Sequence, residues 1–158
     1  MKPKTIYKAF WYESEVRWES GRRGRICSAG KPEVQISSPP AFRGEAGIWT
    51  PEDLFVASVN ACTMTTFLAY AQHNNLPLVV YESDAEGLLE QVEGKFRFTK
   101  IVLHPHVEVK SEEAIPLARH ILDDAHKDCL ITNSTTAEVE MFPQIRASAV
   151  TPVESVAA

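Results

Sequence analysis

Two cysteines could carry chemistry in this chain. Cys62 lies inside an almost uncharged, largely apolar run, and Cys129 follows the acid Asp128 far downstream. A thiol pair can pack as two small hydrophobes, ligate a metal, or run a redox cycle in which one sulfur attacks and the other resolves. The remaining cysteine, Cys27, falls on an expected strand and reads as structural. Three scattered cysteines are too few for a disulfide-stapled secreted framework, so any disulfide here is expected to be transient and functional. His126 with Cys129, and His104 with His106, have the spacing of metal-ligand pairs. No second pair completes either set, and no metal is expected.

The two thiols differ in their expected surroundings. Cys62 is mid-helix, where the helix dipole does little, so a thiolate there needs a nearby cation. Cys129 is expected at the C-terminal end of its helix beside Asp128, where dipole and charge both favour the protonated thiol. On that reasoning Cys62 is the expected nucleophile and Cys129 the resolving thiol.

The element that must hold Cys62 is a helix across residues 50–75. Thr50 is a natural N-cap, Pro51 fits the first helical position, and Asp53 can reach back to complete a capping box. Asn74 and Asn75 tolerate the left-handed conformation that ends a helix. Leu54, Phe55, Val56, Val59, Met64, Phe67 and Leu68 spread around the helical wheel, which predicts burial on most sides. Ser58, Asn60 and the hydroxyl groups make the run too polar for a convincing membrane span. Cys129 is expected on a second helix running from about Ser111 to Asp128. There Ile115, Ala118, Leu122, Ala125 and Cys129 share a face that Leu117 and Ile121 widen, and Pro116 is tolerated in the first turn.

Strands account for the rest. Residues 6–27 read as a hairpin turning at Ser20-Gly21-Arg22-Arg23-Gly24, and Val34–Ser37 as a short strand ended by Pro39-Pro40. Residues 79–91 and 96–109 form a second hairpin around Glu93-Gly94, and residues 136–142 a last strand with Ala137, Val139 and Met141 on one face. From Pro143 the chain is small and polar and is expected to be loosely held or to pack on a partner. The class is α+β.

At 158 residues and a net charge of −5, the chain suits one domain and not a nucleic-acid backbone. The start Met1-Lys2-Pro3-Lys4 leads into mixed polar sequence, so a cytoplasmic protein with no membrane partner is expected.

Several stretches together resemble the OsmC/Ohr family of osmotically induced and organic-hydroperoxide-resistance proteins. They are Gly21-Arg22-x-Gly24-Arg25, Ser38-Pro39-Pro40, Pro51-Glu52-x-Leu54-Phe55 with Ala61-Cys62, and Ala125-His126-x-x-Cys129 with Asn133-Ser134. The likeness runs from about Ile6 to Met141. It implies an OsmC-like fold, antiparallel sheets around a buried central helix, over residues 1–143 with a tail over 144–158, in an intertwined homodimer. It also implies a thiol peroxidase: Cys62 attacks the peroxide and becomes a sulfenic acid, and Cys129 resolves it to a Cys62–Cys129 disulfide. Arg22 would support the thiolate and Glu52 would position Arg22, in a pair whose hairpin and helix can come from different subunits. The resemblance implies a small organic hydroperoxide as substrate and no bound cofactor. An external dithiol, free or on a lipoyl-type protein, would act as reductant. Phe42, Trp49, Phe55 and Met64 are the apolar candidates for the substrate entrance. The chain departs from the hydroperoxide-resistance pattern at Leu130, where proline is common, and in carrying Arg23 beside Arg22. The other reading is a redox-sensing or ligand-binding member with slow or no turnover.

Overall fold

The computed structural model describes residues 8–148. The chain divides into two compact units, Met1–Leu54 and Phe55–Ala158.

The first unit is a three-stranded antiparallel sheet in the order β1 (Glu15–Ser20), β2 (Arg23–Cys27), β3 (Val34–Ser37). The hairpin begins later than the sequence suggests: residues 8–14 form no strand, and the expected start at Ile6 lies outside the described residues. Its turn is only Gly21-Arg22, so Arg23 and Gly24 already belong to β2. A short 3-10 turn over Pro40–Phe42 follows β3. Pro39-Pro40 ends the strand because proline cannot donate to a ladder.

The second unit is built on a long hairpin, β4 (Leu78–Val92) and β5 (Lys95–Val109), closed by the two-residue turn Glu93-Gly94. Both turn residues have positive φ, 51° and 78°, as a tight primed turn between twisted strands requires. Along β5 the odd positions Ile101, Leu103, Pro105, Val107 and Val109 are buried, and the even ones are half-buried on the other face. Helix α2 (Ile115–Asp128) then returns the chain so that β6 (Glu138–Met141) runs parallel to β5, as a helical crossover must. The sheet is therefore mixed, not purely antiparallel.

The expected tail is corrected here. Residues 144–147 form a further strand, β7 (Gln144–Ala147), parallel to β5 and in line with β6. Register is unbroken across the gap: Leu103 faces Met141 and His106 faces Gln144, so Pro105 falls opposite Pro143. Two residues without an N–H meet there, and the ladder stops for them and then resumes. The tail beyond residue 148 lies outside the described residues.

Helix α1 (Pro51–His73) starts as its capping residues predict. The Thr50 amide and hydroxyl donate to Asp53 Oδ2 at 2.9 and 2.8 Å, and the Asp53 amide donates to Thr50 Oγ1 at 3.1 Å. Asn75 has a φ of 52° at the exit. Burial on most sides is not what the chain shows. Val59, Thr63, Phe67 and Ala71, spaced by four, form a single buried stripe, and Ala61, Thr65 and Leu68 are exposed. The apolar residues do encircle the helix, but the sheet and α2 cover one side. Val59 packs with Ile101 and Leu103, and Phe67 and Ala71 pack with Val107, Val109, Ala118, Ile121 and Leu122. By length and composition α1 could cross a membrane, with a mean hydropathy of 1.4. The core stripe and the Asn60 amide, which donates to the Ser83 carbonyl at 3.0 Å, tie it to the sheet instead.

One close approach sets how this helix lies on β4. A Cβ at Gly87 would come within 2.6 Å of Val56 Cγ2 and 2.8 Å of the Phe98 ring. Only glycine leaves room for Val56 there, and next to it Phe55 stacks on Phe98 at 4.9 Å.

Candidate active site

The second unit brings Cys62 and Cys129 together as free thiols near enough for each to shift the other's ionisation. Cys62 comes from the flank of α1 beside the buried stripe and is half-buried; Cys129 is the residue that ends α2 and is fully buried. Its backbone leaves the helix in an extended conformation (φ −61°, ψ 113°), which turns the chain back under α1. The sulfur lies 4.0 Å from the Val59 carbonyl oxygen of α1. A 3-10 turn over Thr132–Ser134 follows at once, so the amides at its start point back toward the thiols.

The electrostatics reverse the helix-position expectation. Burial pushes the Cys62 thiol up, its hydrogen bond to Cys129 and the neighbouring charge push it further, and the amides of Ile131 and Leu130 only partly offset this. Burial also works against Cys129, but Thr132, through hydroxyl and amide, outweighs it with help from Cys62 and Thr63, and the thiol lies below its ordinary range. The Thr132 amide donates to Cys129 Sγ at 3.4 Å. Of the two thiols, Cys129 is therefore the more acidic in this chain. The helix C-terminus was expected to protect the protonated thiol; the next turn's N-terminus wins because its amide is in direct contact. Asp128, the expected repulsive neighbour, is turned away to accept the Tyr70 hydroxyl at 2.6 Å.

The remaining site residues are distributed between the units. Arg22, in the hairpin turn, donates from Nη1 to the Phe42 carbonyl at 2.8 Å, which brings those two candidates together. Arg23 is held by Glu19 at 3.6 Å, Glu45 at 3.2 Å and Gln35 at 2.7 Å, and Arg25 by Glu19 and by Glu33 at 2.8 Å. Among the described residues, Arg22 is the one arginine of the three with no acidic partner. The expected Arg22–Glu52 pair is not formed within this chain: Glu52 Oε2 is buried without a donor, and the Phe42 carbonyl occupies Arg22. Glu52 and Cys62 share α1, about 15 Å apart along its axis at 1.5 Å per residue.

The apolar candidates do not form one wall. Phe42 and Trp49 are exposed loop residues of the first unit, Trp49 bridging to Ile36 of β3. Phe55 lies on the Cys62 flank of α1, seven residues or two turns away, stacked on Phe98. Met64 lies on the opposite flank, lining a pocket of about 220 Å³ with Ala57, Asn60, Ala61, Tyr81, Glu82 and Ser83. Two positions along a helix is a 200° rotation, so Met64 faces away from Cys62. Cys27 is half-buried beside Glu33, with its thiol donating at 3.5 Å, and takes no part in the pair. Among the described residues no three His, Cys, Asp or Glu side chains are placed to hold a metal. Sequence reading missed Thr63 and Thr132. The signal was present as a hydroxyl residue beside each cysteine's turn, three positions after Cys129 and one after Cys62.

Comparison with known proteins gives the family. An uncharacterised protein of Bacillus subtilis is 25% identical over 139 residues, which cover 85% of this chain and 91% of that protein. An OsmC-like protein of unknown function from Vibrio cholerae superposes with a TM-score of 0.79 at 24% identity, covering 86% of this chain and all of that one. An organic hydroperoxide resistance protein of Legionella pneumophila does so with a TM-score of 0.67 at 24% identity, covering 87% and 98%. Residues 44–141, more than half of the chain and including both Cys62 and Cys129, match the profile of the OsmC-like proteins, and the chain belongs to that family.

Proposed function

We propose that this protein is a cysteine-based thiol peroxidase that reduces organic hydroperoxides. The observation that carries the reading is the contact between two free thiols from separate helices, in a chain that contains one other cysteine. In the first half-reaction the Cys62 thiolate attacks the distal peroxide oxygen. The O–O bond breaks, the alcohol leaves with a proton, and Cys62 is left as a sulfenic acid. Cys129 then displaces water from that sulfur to form the Cys62–Cys129 disulfide. An external dithiol, free or lipoyl-bound, reduces it by exchange. A cytoplasmic location suits a cycle that needs a reducing pool.

The first step requires Cys62 to be ionised, whereas the isolated chain makes Cys129 the more acidic thiol. A guanidinium within about 4–6 Å would invert the pair, since an opposite charge at that range lowers a thiol's pKa. Arg22 is the candidate, and the donorless oxygen of Glu52 is the anchor it would pair with. A second copy of the chain would supply the hairpin to the helix, so we include a homodimer in the reading. The likeness to the organic hydroperoxide resistance protein of Legionella pneumophila supports the substrate class.

The low charge on Cys62 favours a second reading, a redox sensor whose disulfide forms but turns over slowly. Consumption of cumene hydroperoxide and of hydrogen peroxide with a dithiol reductant separates the two. The peroxidase reading expects fast turnover of the organic peroxide, abolished in Cys62→Ser. It also expects one equivalent of sulfenic acid at Cys62 in Cys129→Ser, read by mass spectrometry. Oxidation at Cys129 in Cys62→Ser would reverse the roles.

A further inference from the structure

We propose that Thr132 is a positioning residue for the resolving half-reaction, holding the Cys129 sulfur for the attack that closes the disulfide. The proposal rests on the peroxidase reading for the reaction and on local geometry for the residue. Cys129 is fully buried, and a buried thiol with nothing but apolar neighbours stays protonated and resolves slowly. Here the chain ends α2 at Cys129 and starts a 3-10 turn three residues on, which aims the Thr132 amide at Sγ from 3.4 Å. The Thr132 hydroxyl is buried as well and closes no hydrogen bond of full geometry. A buried hydroxyl without a partner is costly unless a strong acceptor appears, and the sulfur is the group it stabilises when charged. The hydroxyl is set for a thiolate more than for a neutral thiol.

The groups around Cys129 leave Thr132 that task. From α1 the facing groups are Cys62, the other titratable group of the pair, and Thr63, whose hydroxyl already donates to the Val59 carbonyl at 3.1 Å. On its own helix Asp128 is taken by Tyr70.

The step balances as follows. The Cys129 sulfur donates an electron pair to the sulfenic sulfur of Cys62, the S–S bond forms and the S–O bond breaks. The departing hydroxide takes one proton and leaves as water. While Cys62 is the ionised member Cys129 holds the proton, which passes to the departing alkoxide in the first half-reaction, so Cys129 then attacks as the thiolate with no further base. Slow closure exposes the sulfenic acid to a second peroxide and to irreversible over-oxidation.

The test uses the full chain. In a Cys27→Ser, Cys62→Ser background, iodoacetamide alkylation of Cys129 is followed against pH for the Thr132 parent, Thr132→Ser and Thr132→Val. Thr132→Val is expected to move the midpoint up by about half a unit or more, with Thr132→Ser close to the parent. With Cys62 restored and one equivalent of cumene hydroperoxide, Thr132→Val should slow disulfide closure several-fold more than sulfenic acid formation. It should also raise sulfinic acid at Cys62 under excess peroxide. Superimposable alkylation profiles overturn the proposal; if Thr132→Val does not fold, Thr132→Ala decides in the same assay. The alkylation arm needs no peroxide. A shifted profile in a protein that consumes no peroxide would defeat the peroxidase reading and leave the role of Thr132 in ionising Cys129 standing.

Discussion

The two units of this chain are built on opposite principles. Among the described residues of the first, only Gly24, Ser37 and Thr50 are buried, and none of them is a sizeable apolar side chain. Trp11, Tyr12 and Trp18 are 93%, 87% and 77% exposed, and the strands add only exposed ion pairs of Arg23 and Arg25 to their backbone ladder. Every residue of the hydrophobic core belongs to the second unit, in two clusters along β5. The unit with the core holds the thiols rigidly in contact, and the unit without one holds the only hairpin arginine with no acidic partner. Exposed ion pairs stabilise little, and a three-stranded sheet needs a covered face to be stable. The comparison teaches that the two thiols are positioned by the unit with the core, whereas Arg22, which the proposed mechanism needs, lies in the unit without one.

The sharpest way to break that division is at Arg22. If the guanidinium inverts the pair, Arg22→Lys should lower the peroxide-reduction rate by about one to two orders of magnitude, from a pKa effect of 1–3 units. The pH at which Cys62 alkylates should rise and the fold stay intact. Arg23→Lys and Arg25→Lys, whose parents already sit in ion pairs, should change the rate much less. An alkylation curve that moves for Arg25→Lys and not for Arg22→Lys would move the electrostatic role to Arg25.

A second test goes to the exposed aromatics. Light scattering at micromolar concentration should give twice the chain mass, and Trp11→Ser with Tyr12→Ser should shift it toward the monomer, since aromatics concentrate at interfaces. A parent that scatters as a monomer would show that the first unit stands uncovered in solution. Within the second unit the comparison predicts the reverse sensitivity. Gly87→Val must displace Val56 or Phe98, and overpacking of that kind costs about 1–3 kcal/mol, visible as a lower urea midpoint in monomer and dimer alike.

Much of this was legible in residue types. The Thr50-Pro51-x-Asp53 start, the Glu93-Gly94 turn and the alternation along β5 each follow from local chemistry that tertiary structure had no reason to override. β7 was not legible: Gln144-Ile145-Arg146-Ala147 alternates too briefly to stand out, and Pro143 reads as a stop. It is a strand because β5 offers an edge in unbroken register. The wheel of α1 misled for the same reason, as sequence counts apolar residues but not which side has a neighbour to cover them. At the site, the cysteines were readable as types, but their relative acidity was not. That is decided by the Thr132 hydroxyl and amide beside the Cys129 sulfur, a consequence of where α2 stops.

The smallest expected effect lies at the start of α1, and it asks which bond of the cap holds the first turn. Thr50→Ala removes the acceptor of the Asp53 amide, but Asp53 is exposed and water can take its place, so the cost should be about 1 kcal/mol. Asp53→Ala is different. It removes the one carboxylate oxygen that serves both the Thr50 amide and the Thr50 hydroxyl, and Thr50 is buried. Two donors lose their acceptor where water has little access, so the loss should reach the upper end of cap effects, about 2 kcal/mol. Thr50→Ser keeps all three bonds and should be close to neutral. Urea unfolding of the three variants gives the order directly. If Thr50→Ala costs more than Asp53→Ala, the amide of Asp53 is the bond that matters and the buried donors of Thr50 are satisfied some other way.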